Sequence, residues 1–171
     1  NCRGTGLERK TTRKKVAIPA GVDDGNQIRM VGEGQPGANG GPNGNFYLEV
    51  DVAPHKFFRR NGTDILLDLE INMAQAALGD EITIPTVDGE VKLRIPPGTQ
   101  PDRVFRLKEK GVPVLNRNER GNQLVTVHVQ IPTNLNKEQE ELLKALGKTM
   151  GTDIKIQERS FFDKLKDAFS G

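Results

Sequence analysis

Apolar and polar residues alternate strictly over several stretches of the chain. Phe46, Leu48, Val50 and Val52 alternate with Tyr47, Glu49 and Asp51, the period-two pattern of a half-buried strand. Leu124 to Ile131 repeats the pattern, and Asp64 to Ile71 reads as a further strand. Ile82–Pro85 and Val91–Ile95 flank Asp88-Gly89, a dipeptide that closes hairpins. Met73 to Leu78 predicts one short helix, stopped at Gly79. Toward the C-terminus the period lengthens. Asn136 opens a helix with Gln139 as its capping-box partner, and Leu142, Leu143, Leu146 and Met150 form its apolar stripe. Ser160 caps a last segment in which Phe162, Leu165 and Phe169 recur at helical spacing beside Phe161. So short a helix is marginal alone in water, so it docks either on its own unit or on a second copy.

The strands belong to a repeat. Ile18-Pro19-Ala20-Gly21 matches Ile95-Pro96-Pro97-Gly98 at an offset of 77. The same offset carries Arg29 onto Arg106, Gly34 onto Gly111, Pro36 onto Pro113, Gly44-Asn45 onto Gly121-Asn122, and Val50 and Val52 onto Val127 and Val129, without a gap. Two homologous units follow each other, too few for a solenoid. Residues 64–92 precede the Ile-Pro-Pro-Gly turn of the second unit, whereas only residues 1–15 precede its counterpart in the first. The first unit is therefore expected to be an incomplete sheet with an unprotected edge. The expected fold is mainly β: two tandem small β-sandwich-like units, the first incomplete at its N-terminus, and a C-terminal helical segment.

Composition narrows the function. Twenty-five Lys and Arg against 23 Asp and Glu leave a net charge of +2, no general electrostatic case for nucleic acid or an acidic membrane. No apolar run approaches a membrane span. One cysteine and two histidines, His55 and His128 in different halves, exclude a disulfide framework and a self-sufficient cysteine zinc site. Signatures of nucleophilic, metal or P-loop chemistry are missing, so no enzyme is expected. Gly32 to Gly37 satisfies GxGxxG literally, but the Gly- and Asn-rich stretch after it prevents the helix that a dinucleotide site needs. It reads as a loop between strands. The basic run Arg9, Lys10, Arg13, Lys14 and Lys15 reads as the solvated, protected edge of a strand. Its alternative is phosphate contact by a nucleic-acid-binding β module. A carbohydrate-binding sandwich has no polar constellation to support it.

Several segments together resemble the C-terminal half of bacterial-type, zinc-bearing DnaJ co-chaperones. Cys2-Arg3-Gly4-Thr5-Gly6 is similar to the end of that family's last CxxCxGxG zinc repeat. Pro54-His55-Lys56-Phe57-Phe58-Arg59-Arg60-Asn61-Gly62-Thr63-Asp64 resembles its junction between two peptide-binding units. Ile95-Pro96-Pro97-Gly98-Thr99-Gln100 with Phe105 to Pro113, and the closing Phe161 to Phe169, resemble its second unit and its tail. The resemblance implies a remnant of the zinc-repeat end and linking strand at 1–15. The rest of the first client-binding unit then covers 16–60, a second unit 61–132 and a dimerisation segment 133–171.

By the same resemblance, a groove on the first unit takes apolar segments of unfolded clients by strand addition, and the protein works beside a DnaK-type chaperone in the cytoplasm. Leu48 falls on a pocket position, and its neighbours Phe46 and Val50 either line the floor or face the sandwich core. Lys14 falls on a pocket position usually aliphatic in the family, where its stem offers an apolar wall. Leu142, Leu143, Leu146, Phe161, Phe162, Leu165 and Phe169 are the expected homodimer contacts. The family's ATPase-stimulating His-Pro-Asp tripeptide and seven of its eight zinc cysteines are absent. Cys2 is then an orphan ligand, zinc is expected only in the full-length protein, and this chain holds clients without driving an ATP cycle.

Overall fold

The computed structural model describes residues 11–152 and 154. Among these residues, eight strands and two α-helices fall into two compact units that divide after Gln130. In the larger unit, β1 (Gln27–Met30) pairs antiparallel with β2 (Phe46–Glu49). Further along, β3 (Phe58–Asn61), β4 (Asp64–Asn72), β8 (Gln123–Gln130) and β7 (Val104–Leu107) form one sheet in the order β3-β4-β8-β7. The hairpin of β5 (Asp80–Thr86) and β6 (Gly89–Ile95) turns at Val87-Asp88.

Alternation sets the layers. On β4 the odd positions Ile65, Leu67 and Ile71 are buried while Asp68 and Glu70 are exposed. Gln123, Val125 and Val127 do the same on β8, as Leu93 and Ile95 do on β6 and Ile84 and Thr86 do on β5. Sheet and hairpin close over a core of Leu67, Ile71, Ala76, Ile84, Leu93, Ile95, Val125 and Val127. Truncating one such side chain to alanine costs roughly 2–5 kcal/mol. The helix α1 (Met73–Leu78) contributes Ala76. Asn72 and Gln75 form its reciprocal capping box, and Gly79, at φ 81°, ends it. Its last carbonyls are not wasted, since Gly98 and Thr99 of the Ile-Pro-Pro-Gly-Thr turn donate to Ala77 O and Ala76 O.

The duplication is visible hydrogen bond by hydrogen bond. Shifted by 77, the β1–β2 register Gln27↔Glu49 becomes the β7–β8 register Val104↔Thr126. Gly25 N donates to Val50 O as Asp102 N does to Val127 O. Gly34 N donates to Gly44 O as Gly111 N does to Gly121 O. What differs is the company these strands keep. β8 carries β4 in parallel on its other edge, whereas among the described residues nothing pairs with β2 on the side away from β1.

Two features depart from the sequence expectation. Arg13, Lys14 and Lys15 of the basic run lie in no strand. The alternation from Phe46 to Val52 supports a ladder only to Glu49. Beyond it Asp24 takes over, its Oδ1 accepting from Val52 N. In the smaller unit, α2 (Lys137–Thr149) starts at the expected Asn136–Gln139 capping box. Leu142, Leu146 and Met150 are exposed along it and Leu143 is half-buried. Asp153 and residues 155–171, and with them Phe161, Phe162, Leu165 and Phe169, lie outside the described residues, as does Cys2.

Candidate functional site

The β1–β2 register puts Met30 opposite Phe46 and Ile28 opposite Leu48. Residues two apart share a face, so Ile28, Met30, Phe46, Leu48 and Val50 form one apolar face. A cavity of about 700 Å³ opens at its end, lined by Val16, Met30, Phe46, Pro36 and the stem side of Lys14. Lys14 and Phe46 therefore meet at one site, while Leu48 and Val50 lie further along the same face and do not line the cavity. The Lys14 ammonium is ion-paired with Glu33, itself part of the lining, and a lysine stem can serve as apolar wall beside such a pair. Sequence reasoning missed Met30, Glu33 and Pro36. The repeat was the available signal, because Glu33 and Pro36 match Lys110 and Pro113, which bracket the corresponding closed region.

The second unit shows what that face looks like when covered. Lys14, Val16, Phe46, Leu48 and Val50 correspond to Val91, Leu93, Gln123, Val125 and Val127. There Gln123, Val125 and Val127 are wholly inaccessible beneath the β5–β6 hairpin. Phe46, by contrast, is 48% exposed, and Leu48 and Val50 are half-buried. The cover in the second unit is fastened by polar bonds. Gln123 Nε2 donates to Pro85 O at 2.9 Å. Arg120 grips Asp88 in the hairpin turn with both terminal nitrogens, at 3.0–3.1 Å, while donating to Gly111 O. Lys110 adds an ion pair at 3.4 Å. The Arg120 hydrogen bonds, with its charge and that of Lys110, hold the Asp88 carboxyl below its ordinary value. At the matching places the first unit carries Phe46 for Gln123 and Asn43 for Arg120. It has an apolar face without the fasteners.

Neither histidine is placed for catalysis. His55 Nδ1 accepts from Phe57 N and Phe58 N, and His128 lies between Asp68 and Asp102 on the solvated side of the sheet. Among the described residues no three His, Cys, Asp or Glu side chains gather where they could hold a metal ion. No helix there is long and apolar enough to cross a membrane.

A duplicated β unit with one face covered and its twin open among the described residues, followed by a helical segment, defines a class of paired β-domain protein. The chain belongs to the DnaJ C-terminal domain family: the family model described as "DnaJ C terminal domain" matches residues 5–132, and that of "Chaperone protein DnaJ C-terminal region" matches residues 138–171. The protein named Chaperone protein DnaJ from Clostridium perfringens is 55% identical over 160 residues, which cover 92% of this chain. Those from Acetivibrio thermocellus and Limosilactobacillus reuteri are 45% and 48% identical over 98% of it. The chain spans 41–44% of the length of these relatives.

Proposed function

We propose that the chain is the client-holding and dimerising part of a co-chaperone. It takes up exposed apolar segments of unfolded proteins on the first β unit without ATP, keeps them from aggregating, and passes them to a DnaK-type chaperone. The observation that carries this reading is the contrast between the two units. One face built on one hydrogen-bond register is sealed by a tethered hairpin in the second unit and presents Phe46, Leu48, Val50 and the Lys14 stem in the first. An extended client supplies what β4 and the hairpin supply next door: main-chain bonds indifferent to sequence along the strand edge, as β4 gives β8, and alternate side chains over the apolar face. The exposed Leu142 and Leu146 on α2, with half-buried Leu143, support the dimer. Two copies then hold one client at two points, raising avidity without any new contact.

The test is a fluorescence-anisotropy titration of the chain with a labelled apolar peptide and a labelled oligonucleotide, each at low and high salt. Salt-insensitive peptide binding that falls about tenfold or more in Leu48→Asp is expected. Salt-sensitive oligonucleotide binding with an inert peptide would instead assign the face around Arg13, Lys14 and Lys15 to nucleic acid.

A further inference from the structure

A second cavity, of about 740 Å³, opens between the two β units at their junction. Val52, Phe58, Ile65, Val87 and Val112 give it apolar walls, and the His55 ring, stacked on Phe58 with centroids 4.8 Å apart, closes one side. Because Nδ1 of that ring accepts two backbone N–H groups, the neutral imidazole carries its proton on Nε2, which has no hydrogen-bond partner among the described residues. Arg60 ties the two sides of the junction together. Arg60 donates to Val22 O at 2.6 Å, Gly21 O at 3.1 Å and Gly62 O at 2.8 Å. The first unit's turn comes so close to the second that a Cβ on Gly21 would lie 2.1 Å from Pro113 O.

The rim is electrostatically uneven. Arg60 is satisfied by these carbonyls and by Asp23 at 3.5 Å, and Arg59 by Asp68 at 2.7 Å. Asp24 accepts only from Val52 N and has no ion-pair partner among the described residues. An apolar cleft with an unneutralised carboxylate at its mouth is complementary to an apolar group beside a cation.

We propose that this junction cleft is a second peptide subsite, taking a large apolar side chain flanked by Lys or Arg, with Asp24 reading the cation and His55 Nε2 donating to the peptide backbone. It rests on the reading that the chain binds extended apolar segments, and it adds a position and a charge preference to that reading.

The test uses the whole chain and two fluorescein-labelled nonapeptides with a central Phe, one flanked by lysines and the other by glutamates. A third carries benzoylphenylalanine at the centre for photo-crosslinking. Asp24→Asn keeps an oxygen for Val52 N, so it is expected to weaken the lysine peptide about threefold and to leave the glutamate peptide unchanged. Val87→Asp, at an exposed turn position, is expected to weaken both about tenfold. Crosslinks are expected on residues 52–58 and 86–87. Crosslinks confined to residues 12–16, 30–36 and 43–48 would overturn the cleft subsite and leave client binding on the first unit standing. Failure of every peptide to bind would overturn both.

Discussion

Glu109 adopts φ 57° and Asp102 φ 61°, left-handed conformations that cost an L-residue about 1 kcal/mol. At the matching places of the first unit stand Gly32 and Gly25, both at φ 73°. The backbone path is common to both copies, and only one of them uses the residue that takes it without strain. Glu109 is exposed, so Glu109→Gly isolates the backbone term. It is expected to raise unfolding free energy by roughly 0.5 kcal/mol at most in a denaturant titration, after the extra unfolded-state entropy of glycine is offset. No gain, or a loss, would mean that the second unit has relaxed this turn by other means. Nothing in the residue type marks Glu109 for a positive φ, and only its alignment with Gly32 reveals it.

At the scale of elements, the hairpin that covers the second unit was legible before any fold was known. Its strands alternate on either side of the dipeptide Asp88-Gly89, although the loop itself falls at Val87-Asp88, and the helix before it runs six residues to its stop at Gly79. Its fastening was not legible, because Asp88 and Arg120 lie 32 residues apart and no local pattern links them. Since the folded Asp88 carboxyl titrates below its ordinary 3.8, its contribution to stability is complete above that value and is lost as pH falls through the folded one. Asp88→Asn preserves the turn chemistry, Asn-Gly being as good a hairpin dipeptide. The variant is therefore expected to melt below the parent at pH 7, with the gap closing once the medium is acid enough to protonate Asp88 in both states. Thermal melts showing the same gap at pH 7 and at about pH 2.5 would remove the ionic latch from the account. The short strands β1, β3 and β7 went unread for another reason. Each has four residues, and the charged side chains of Arg29, Arg59, Arg60 and Arg106 break up the apolar pattern that longer strands display.

At the scale of the whole molecule, sedimentation of the chain at tens of micromolar is expected to show a two-fold assembly at twice the chain's mass, with Leu146→Glu on the exposed face of α2 shifting it to monomer. A monomeric parent would leave the apolar stripe of α2 to its own unit. The same scale divides what sequence decides from what folding decides. The duplication, the mainly β character, the hairpin and the capping box of α2 were determined by the sequence alone, because each is written within a few adjacent residues or in a gapless repeat of them. The parallel pairing of β4 with β8 joins residues 58 apart, and the hairpin that seals one copy of the repeated face is fastened by bonds between residues 32 and 38 apart. The meeting of Lys14 with Phe46, or of Asp24 and His55 with Val87 across the junction cleft, likewise joins residues far apart in the chain. Those juxtapositions follow from which strand finds which edge, a choice made by burial and closure of the whole chain, and only the tertiary structure decided them.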